Sequence, residues 1–165
     1  MLPLEITAIE STHLYALVEN GVAESRFLEY KQAIPGPNWS RDRFLATAAS
    51  FANDGPGDLV LGITCDAGVP TDVTGVEVDD VDAEVLRLDQ LIRDNFDPPY
   101  HQHRIQPVPL DNGRTVFVIR FSLGYERPHR IGSKGHIFGR GAAGKVPLDM
   151  LQVRNMILQG KEYES

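Results

Sequence analysis

The chain has 165 residues, 42% of them hydrophobic and 24% charged, with a formal charge of −7 and one cysteine. That length suits a single domain, and that composition excludes collagen-like, disordered and low-complexity chains. The lone Cys65 excludes a disulfide framework or a cysteine-rich zinc cage, while an acidic N-terminus and the absence of any apolar run near 18 residues predict a cytoplasmic protein with no membrane partner.

In chain order, Leu14, Leu17 and Val18 recur at helical spacing before Asn20-Gly21, a helix stop. Phe27 to Lys31 alternates as a strand does, with Leu28 and Tyr30 on one face and Phe27, Glu29 and Lys31 on the other. After the turn Pro35-Gly36-Pro37, Ser40 is placed to cap a helix carrying Phe44, Leu45, Ala48, Phe51 and Ala52, which stops in the stretch 53–57. Residues 58–63 read as a buried strand, and 66–80, rich in Gly, Pro and Asp, as a loop.

Val81, Val85, Leu88, Leu91, Ile92 and Phe96 mark a second long helix, with Asp79, Asp80 and Asp82 at the end where the dipole favours acids. Strands follow at about 104–108, at 115–121 after the turn Asp111-Asn112-Gly113, and at 136–139. A last helix begins near Pro147 and carries Leu148, Leu151, Met156, Ile157 and Leu158. The order predicts an α/β or α+β domain, a mixed sheet packed by helices, over residues 12–158, with an extension at 1–11 and a tail at 159–165.

The charge is unevenly spread. Residues 1–100 carry −12, 101–145 carry +6 and the last twenty −1. The basic stretch also holds His101, His103, His129 and His136, and it is either a solvated edge or a surface that attracts phosphates. Within it, Gly139 to Lys145 satisfies two phosphate-cradling glycine patterns, GxGxxG and GxxxxGK. Val146 stands where a P-loop needs a hydroxyl, and too little chain follows for a dinucleotide fold, so the segment reads as a strand-to-helix loop or a contact for nucleic-acid phosphates. Gly132-Ser-Lys-Gly135 reads as a hairpin tip bearing a lysine. His101 and His103 share a side of an extended segment without a third nearby ligand; Cys65, ending an apolar strand, reads as a buried small hydrophobe; and Trp39 and Tyr100 either pack at loop margins or stack on bases.

Several spaced motifs then occur together. They are Glu24-Ser25-x-x-Leu28-Glu29-Tyr30-Lys31, Ser50-Phe51-Ala52-Asn53, and Gly57 to Ile63, followed by Pro98-Pro99, Thr115 to Ile119, Arg127-Pro128 and His136 to Gly141. In this order, over about 12–155, they resemble the Schlafen/AlbA-like DNA-binding domain family. Tyr30 replaces the usual Phe, Asp54 follows Asn53 where a small residue is common, and Asp58 interrupts a usual Gly-Gly pair.

The resemblance implies a nucleic-acid-binding domain for RNA or single-stranded DNA, with Lys31, Arg127, Arg130, Lys134, Arg140 and Lys145 as candidate phosphate contacts. Some members of that family cut transfer RNA with two glutamates and an aspartate; the corresponding catalytic and metal-binding positions here are Glu24, Glu29 and Asp66. Three such carboxylates on Mg²⁺ or Mn²⁺ can polarise a phosphodiester and lower the pKa of a bound water. Residues five apart on one strand face opposite sides, so Glu24 must lie in the turn before the strand to meet Glu29. Otherwise Glu29 pairs with Lys31 or an arginine, Glu24 caps the strand entry and Asp66 sits in a turn. The readings are thus a nucleic-acid binder, a divalent-metal-dependent endoribonuclease, or a nucleotide-sensing or protein-interaction module, each compatible with a homo-oligomer.

Overall fold

A computed structural model describes residues 2–132 and 137–164, with side-chain surroundings as far as Gln159. Its helices are α1 (Ser11–Glu19), α2 (Arg41–Asp54), α3 (Val81–Asp94) and α4 (Met150–Glu164), preceded by a 3-10 turn at Ile6–Ala8. Its strands are β1 (Leu28–Lys31), β2 (Gly57–Leu61), β3 (Ile63–Asp66), β4 (Val69–Val73), β5 (Phe96–Asp97), β6 (His103–Pro109), β7 (Thr115–Phe121), β8 (Arg130–Ile131), β9 (Phe138–Gly141) and β10 (Gly144–Pro147).

The main sheet runs β1-β2-β7-β6, with β1 parallel to β2 and the other pairs antiparallel, so the fold is α+β with a mixed sheet. Period-two alternation decides which core each side chain joins. Leu59, Leu61, Phe117, Ile119 and Phe121 face α2 and α3, among Phe44, Phe51, Leu88, Ile92 and Tyr100. Val60, Val116 and Val118 face the opposite way, onto Leu14 and Leu17 of α1. Ile6 and Ile9 are buried in that second cluster, which joins the 1–11 segment to the domain core. Between β2 and β7, Asp58 lies directly opposite Arg120 and accepts its Nε at 2.8 Å and its Nη2 at 3.1 Å.

Both interior helices start as the sequence predicts. Ser40 Oγ accepts the Arg43 N–H at 3.1 Å, and Asp80 Oδ1 accepts the Ala83 N–H at 3.1 Å, each satisfying an amide that the helix leaves unpaired. The apolar run 58–63 is divided at Gly62, whose φ of +119° turns the chain out of the sheet. A Cβ there would stand 3.0 Å from Gly75 Cα, so the bend needs glycine twice over.

Several expectations are corrected. The 66–80 segment contains β4, paired with β3 across a two-residue turn, Ala67-Gly68, with φ of 49° and 79°. Both values are positive, as a tight hairpin turn requires. Phe96 leaves the helical pattern for β5, which pairs with β8. Gly139 to Lys145 is the β9–β10 hairpin and not a strand-to-helix loop. In α4, Met156 is buried while Leu151, Ile157 and Leu158 are exposed. Lys134 and His136 lie outside the described residues.

Candidate functional site

The end of β1 and the β9–β10 hairpin close around a small polar cavity of about 160 Å³, lined by Glu24, Glu29, Lys31, Arg140, Gly144 and Lys145 among others. β1 supplies Glu29 and Lys31 from the strand face opposite Tyr30, as alternation predicts, and the turn before it supplies Glu24. Gly144, with φ of +114°, brings the hairpin so close that a Cβ would stand 3.3 Å from Glu29 Oε1.

Charge in this cavity is already paired in a definite way. Arg140 is fully enclosed, and its Nη1 donates to Glu29 Oε1 at 3.0 Å and to Ser50 Oγ at 3.1 Å. Its Nε donates to the Arg26 carbonyl and its Nη2 to the Ser25 carbonyl, so one guanidinium ties the β1 entry to α2 and to the hairpin. The same guanidinium lies 3.9 Å from the centre of the Phe51 ring, which also stacks parallel to Phe121. Asp54 continues the network, pairing with Arg26 and accepting the Arg140 N–H at 3.0 Å. Asn53 holds the neighbouring chain through its amide, donating to the His129 and Phe138 carbonyls and accepting the His129 N–H.

Glu24 is the partner of a backbone group: its Oε2 accepts the Tyr30 N–H at 3.0 Å, and its own N–H donates to the Gly68 carbonyl at 2.8 Å. Asp66 ends β3 with an exposed side chain, at the hairpin that Gly68 turns, and does not line the cavity. The structure thus brings Glu24 and Glu29 together and leaves Asp66 out. Among the described residues, no three Asp, Glu, His or Cys side chains gather to hold a metal ion.

A divalent cation therefore does not fit this set. One carboxylate is neutralised by an enclosed arginine with Lys31 3.9 Å away, the other serves a backbone amide, and the third lies outside. Of the expected Glu24, Glu29 and Asp66 site for Mg²⁺ or Mn²⁺, the structure brings Glu24 and Glu29 to one cavity, with Arg140 paired to Glu29, while Asp66 is not in its lining.

The candidate phosphate contacts divide as well. Arg140 is enclosed, and Arg127 is buried with Nη1 donating to the Gly124 carbonyl at 3.1 Å, so neither presents its guanidinium as an outward phosphate contact. Arg130 is exposed and pairs with Asp97 at 3.0 Å. Lys31 and Lys145 both reach the cavity. Desolvation holds the Lys145 ammonium below its ordinary pKa; Lys31, Arg43 and Arg140 push it further down, and Glu29 opposes them.

Other residues depart from their sequence readings. His103 is buried and its Nε2 lies 2.7 Å from Asp89 Oδ1, whereas His101 is exposed beside Arg93. Tyr100 is a core side chain, its hydroxyl donating to the Gln102 and Ser122 carbonyls. Cys65 is exposed rather than buried, yet partial desolvation and the nearby Glu24 push its thiol up to about 11, so it is not a reactive thiolate at neutral pH. The Arg26–Asp54 pair and the Ser50 contact were not anticipated; Asn53, at a helix end inside an otherwise apolar motif, was the visible signal for a buried polar hub.

Among the described residues, no helix is long and apolar enough to cross a membrane. Residues 24–149 match the model of the Schlafen, AlbA_2 family. No curated protein matches the chain. Among solved structures, it is similar to the N-terminal domain of a Nitrosomonas europaea protein described as related to the ATP-dependent DNA helicase RecG, with 17% identity, a TM-score of 0.59, and coverage of 86% of this chain and 91% of that one. It is also similar to the DIP2311 protein of Corynebacterium diphtheriae, with 19% identity and a TM-score of 0.53 over 84% of this chain. It spans only 27% of that protein's length.

Proposed function

The chain belongs to the Schlafen, AlbA_2 family, and from that premise we propose that it binds nucleic acid, RNA or single-stranded DNA, over the face where Lys31 and Lys145 converge. One observation carries the reading: Lys31 and Lys145 line one small polar cavity in which Arg140 is already paired with Glu29. An entering phosphate pairs with these two ammonium groups, an attraction that weakens as salt rises. Arg130, on the β5–β8 ribbon, is exposed and paired with the exposed Asp97, a surface ion pair for which the phosphates of a longer strand compete.

The role proposed is binding, without cleavage. Labelled single-stranded RNA, single-stranded DNA and duplex DNA of equal length, titrated at several salt concentrations, test it by fluorescence anisotropy. Affinity for the single strands should fall as salt rises, and Lys145→Ala should weaken binding to many sequences alike and lower the salt slope by about one. An unchanged affinity and slope in that variant would remove the proposed face.

A further inference from the structure

On the other side of Lys31 lies a larger cavity, about 610 Å³, to which Ile34, Trp39, Val76, Glu77 and Arg114 contribute. Lys31 lines both this cavity and the polar one, so the two adjoin across a single side chain. Trp39 is half-buried, and its indole packs nearly perpendicular to the Phe44 ring, with ring centres 5.6 Å apart at 87°. The Gly36 N–H donates to the Trp39 carbonyl at 2.8 Å and closes the turn that carries the ring. The Lys31 ammonium sits over the indole, 5.6 Å from its centre, a cation on one of the two ring faces.

We propose that this cavity is a nucleobase pocket, taking one base of a single strand against the Trp39 indole while the attached phosphates lie between Lys31 and Arg114. The inference rests on the nucleic-acid reading above and adds where a base is held. A planar π surface, apolar walls from Ile34 and Val76, and two cations are what an unpaired nucleotide requires. The exposed Asn38 and Glu77 supply donor and acceptor groups at the margin, where base edges would lie. A duplex offers a base only at the expense of unpairing and unstacking it, so single strands are the class selected.

Trp39 is the chain's one tryptophan, so its fluorescence reports on this pocket alone. The test titrates the intact chain with a fluorescein-labelled uridine 12-mer and with an abasic ribose-phosphate 12-mer of equal charge, following anisotropy for binding and indole emission for stacking. The expected result is saturable quenching with the uridine 12-mer and none with the abasic one. Trp39→Ala should weaken the uridine 12-mer roughly 5- to 150-fold and leave the abasic 12-mer unchanged. Trp39→Phe, which keeps an aromatic face on the Phe44 contact, should lie between the two, and circular dichroism confirms that each variant is folded. Equal affinity for both 12-mers without quenching would overturn the pocket and leave the nucleic-acid reading standing. Flat anisotropy with either 12-mer at low salt would overturn that reading and this inference together.

Discussion

Arg140 Nη1 stands 3.0 Å from Glu29 Oε1, in a pair of which the arginine side chain is fully enclosed and the glutamate 8% exposed. Removing the arginine leaves a buried carboxylate whose other oxygen has no hydrogen-bond partner. Arg140→Ala should therefore lower stability by about 3–5 kcal/mol. Glu29→Gln, which keeps an oxygen acceptor and no net charge, should cost less. Urea unfolding of both variants checks the order; an equal or reversed order would show that the arginine stabilises through Phe51 and the backbone carbonyls, independently of Glu29.

Phe51 contacts both Phe121, 5.1 Å away and parallel, and the Arg140 guanidinium. Phe51→Ala removes both contacts and opens a void at the centre of the larger core, which should cost about 3–5 kcal/mol. In a chain of this length that corresponds to a melting-temperature drop of roughly 6–20 °C. A shift below about 2 °C would show that the core refills around the missing ring.

Cleavage is expected to be absent. Glu24 and Glu29 are held by Tyr30 and Arg140 and Asp66 stands apart, so added Mn²⁺ should produce no degradation of transfer RNA, and wild type and Glu29→Gln should be indistinguishable. Metal-dependent products from wild type that vanish in Glu29→Gln would favour the nuclease reading over binding alone and require the three carboxylates to gather around the ion.

Stability should decline as the solution is acidified from neutrality. Burial holds the His103 imidazole below its ordinary value of 6.5, with Asp89 opposing and Arg93 and His101 adding to the effect. Burial does the same to His129, against the Pro98 carbonyl and Glu126, while Arg127 and His101 add to it. Both groups bind a proton less readily when folded, so below about pH 6.5 the unfolded chain takes up more protons and unfolding is favoured. His103→Gln keeps a donor for Asp89 and removes the titration; its denaturation midpoint should change less between pH 7 and pH 5 than that of wild type.

The helices and the central strands were legible because burial there follows one period at a time. Phe44, Leu45, Ala48, Phe51 and Ala52 repeat at 3.6, and Thr115 to Phe121 form an apolar run fenced by a turn. β4 was not legible: Pro70 argues against a strand and Ala67-Gly68 is not an asparagine-glycine turn, yet pairing with β3 overrides both. At the candidate site, the β1 motif placed Glu29 and Lys31 on one face correctly. The fate of Arg140 could not be read, because a guanidinium in a basic segment looks the same whether it meets solvent or a carboxylate 111 positions earlier in the chain.

The opposed pair Asp58 and Arg120 has a consequence for assembly of the sheet. β7 and the inner part of β2 are apolar on both faces, so a one-residue slip between them would still bury hydrocarbon on each side and burial alone discriminates poorly between alignments. Such a slip sets Asp58 against Ile119 or Phe121 and strands the Arg120 guanidinium at the same time. Two charges on otherwise interchangeable strands thus act as an index mark. An Asp58→Leu exchange would remove one of the features that tell the correct alignment from its neighbours, beside the division of side chains between the two cores.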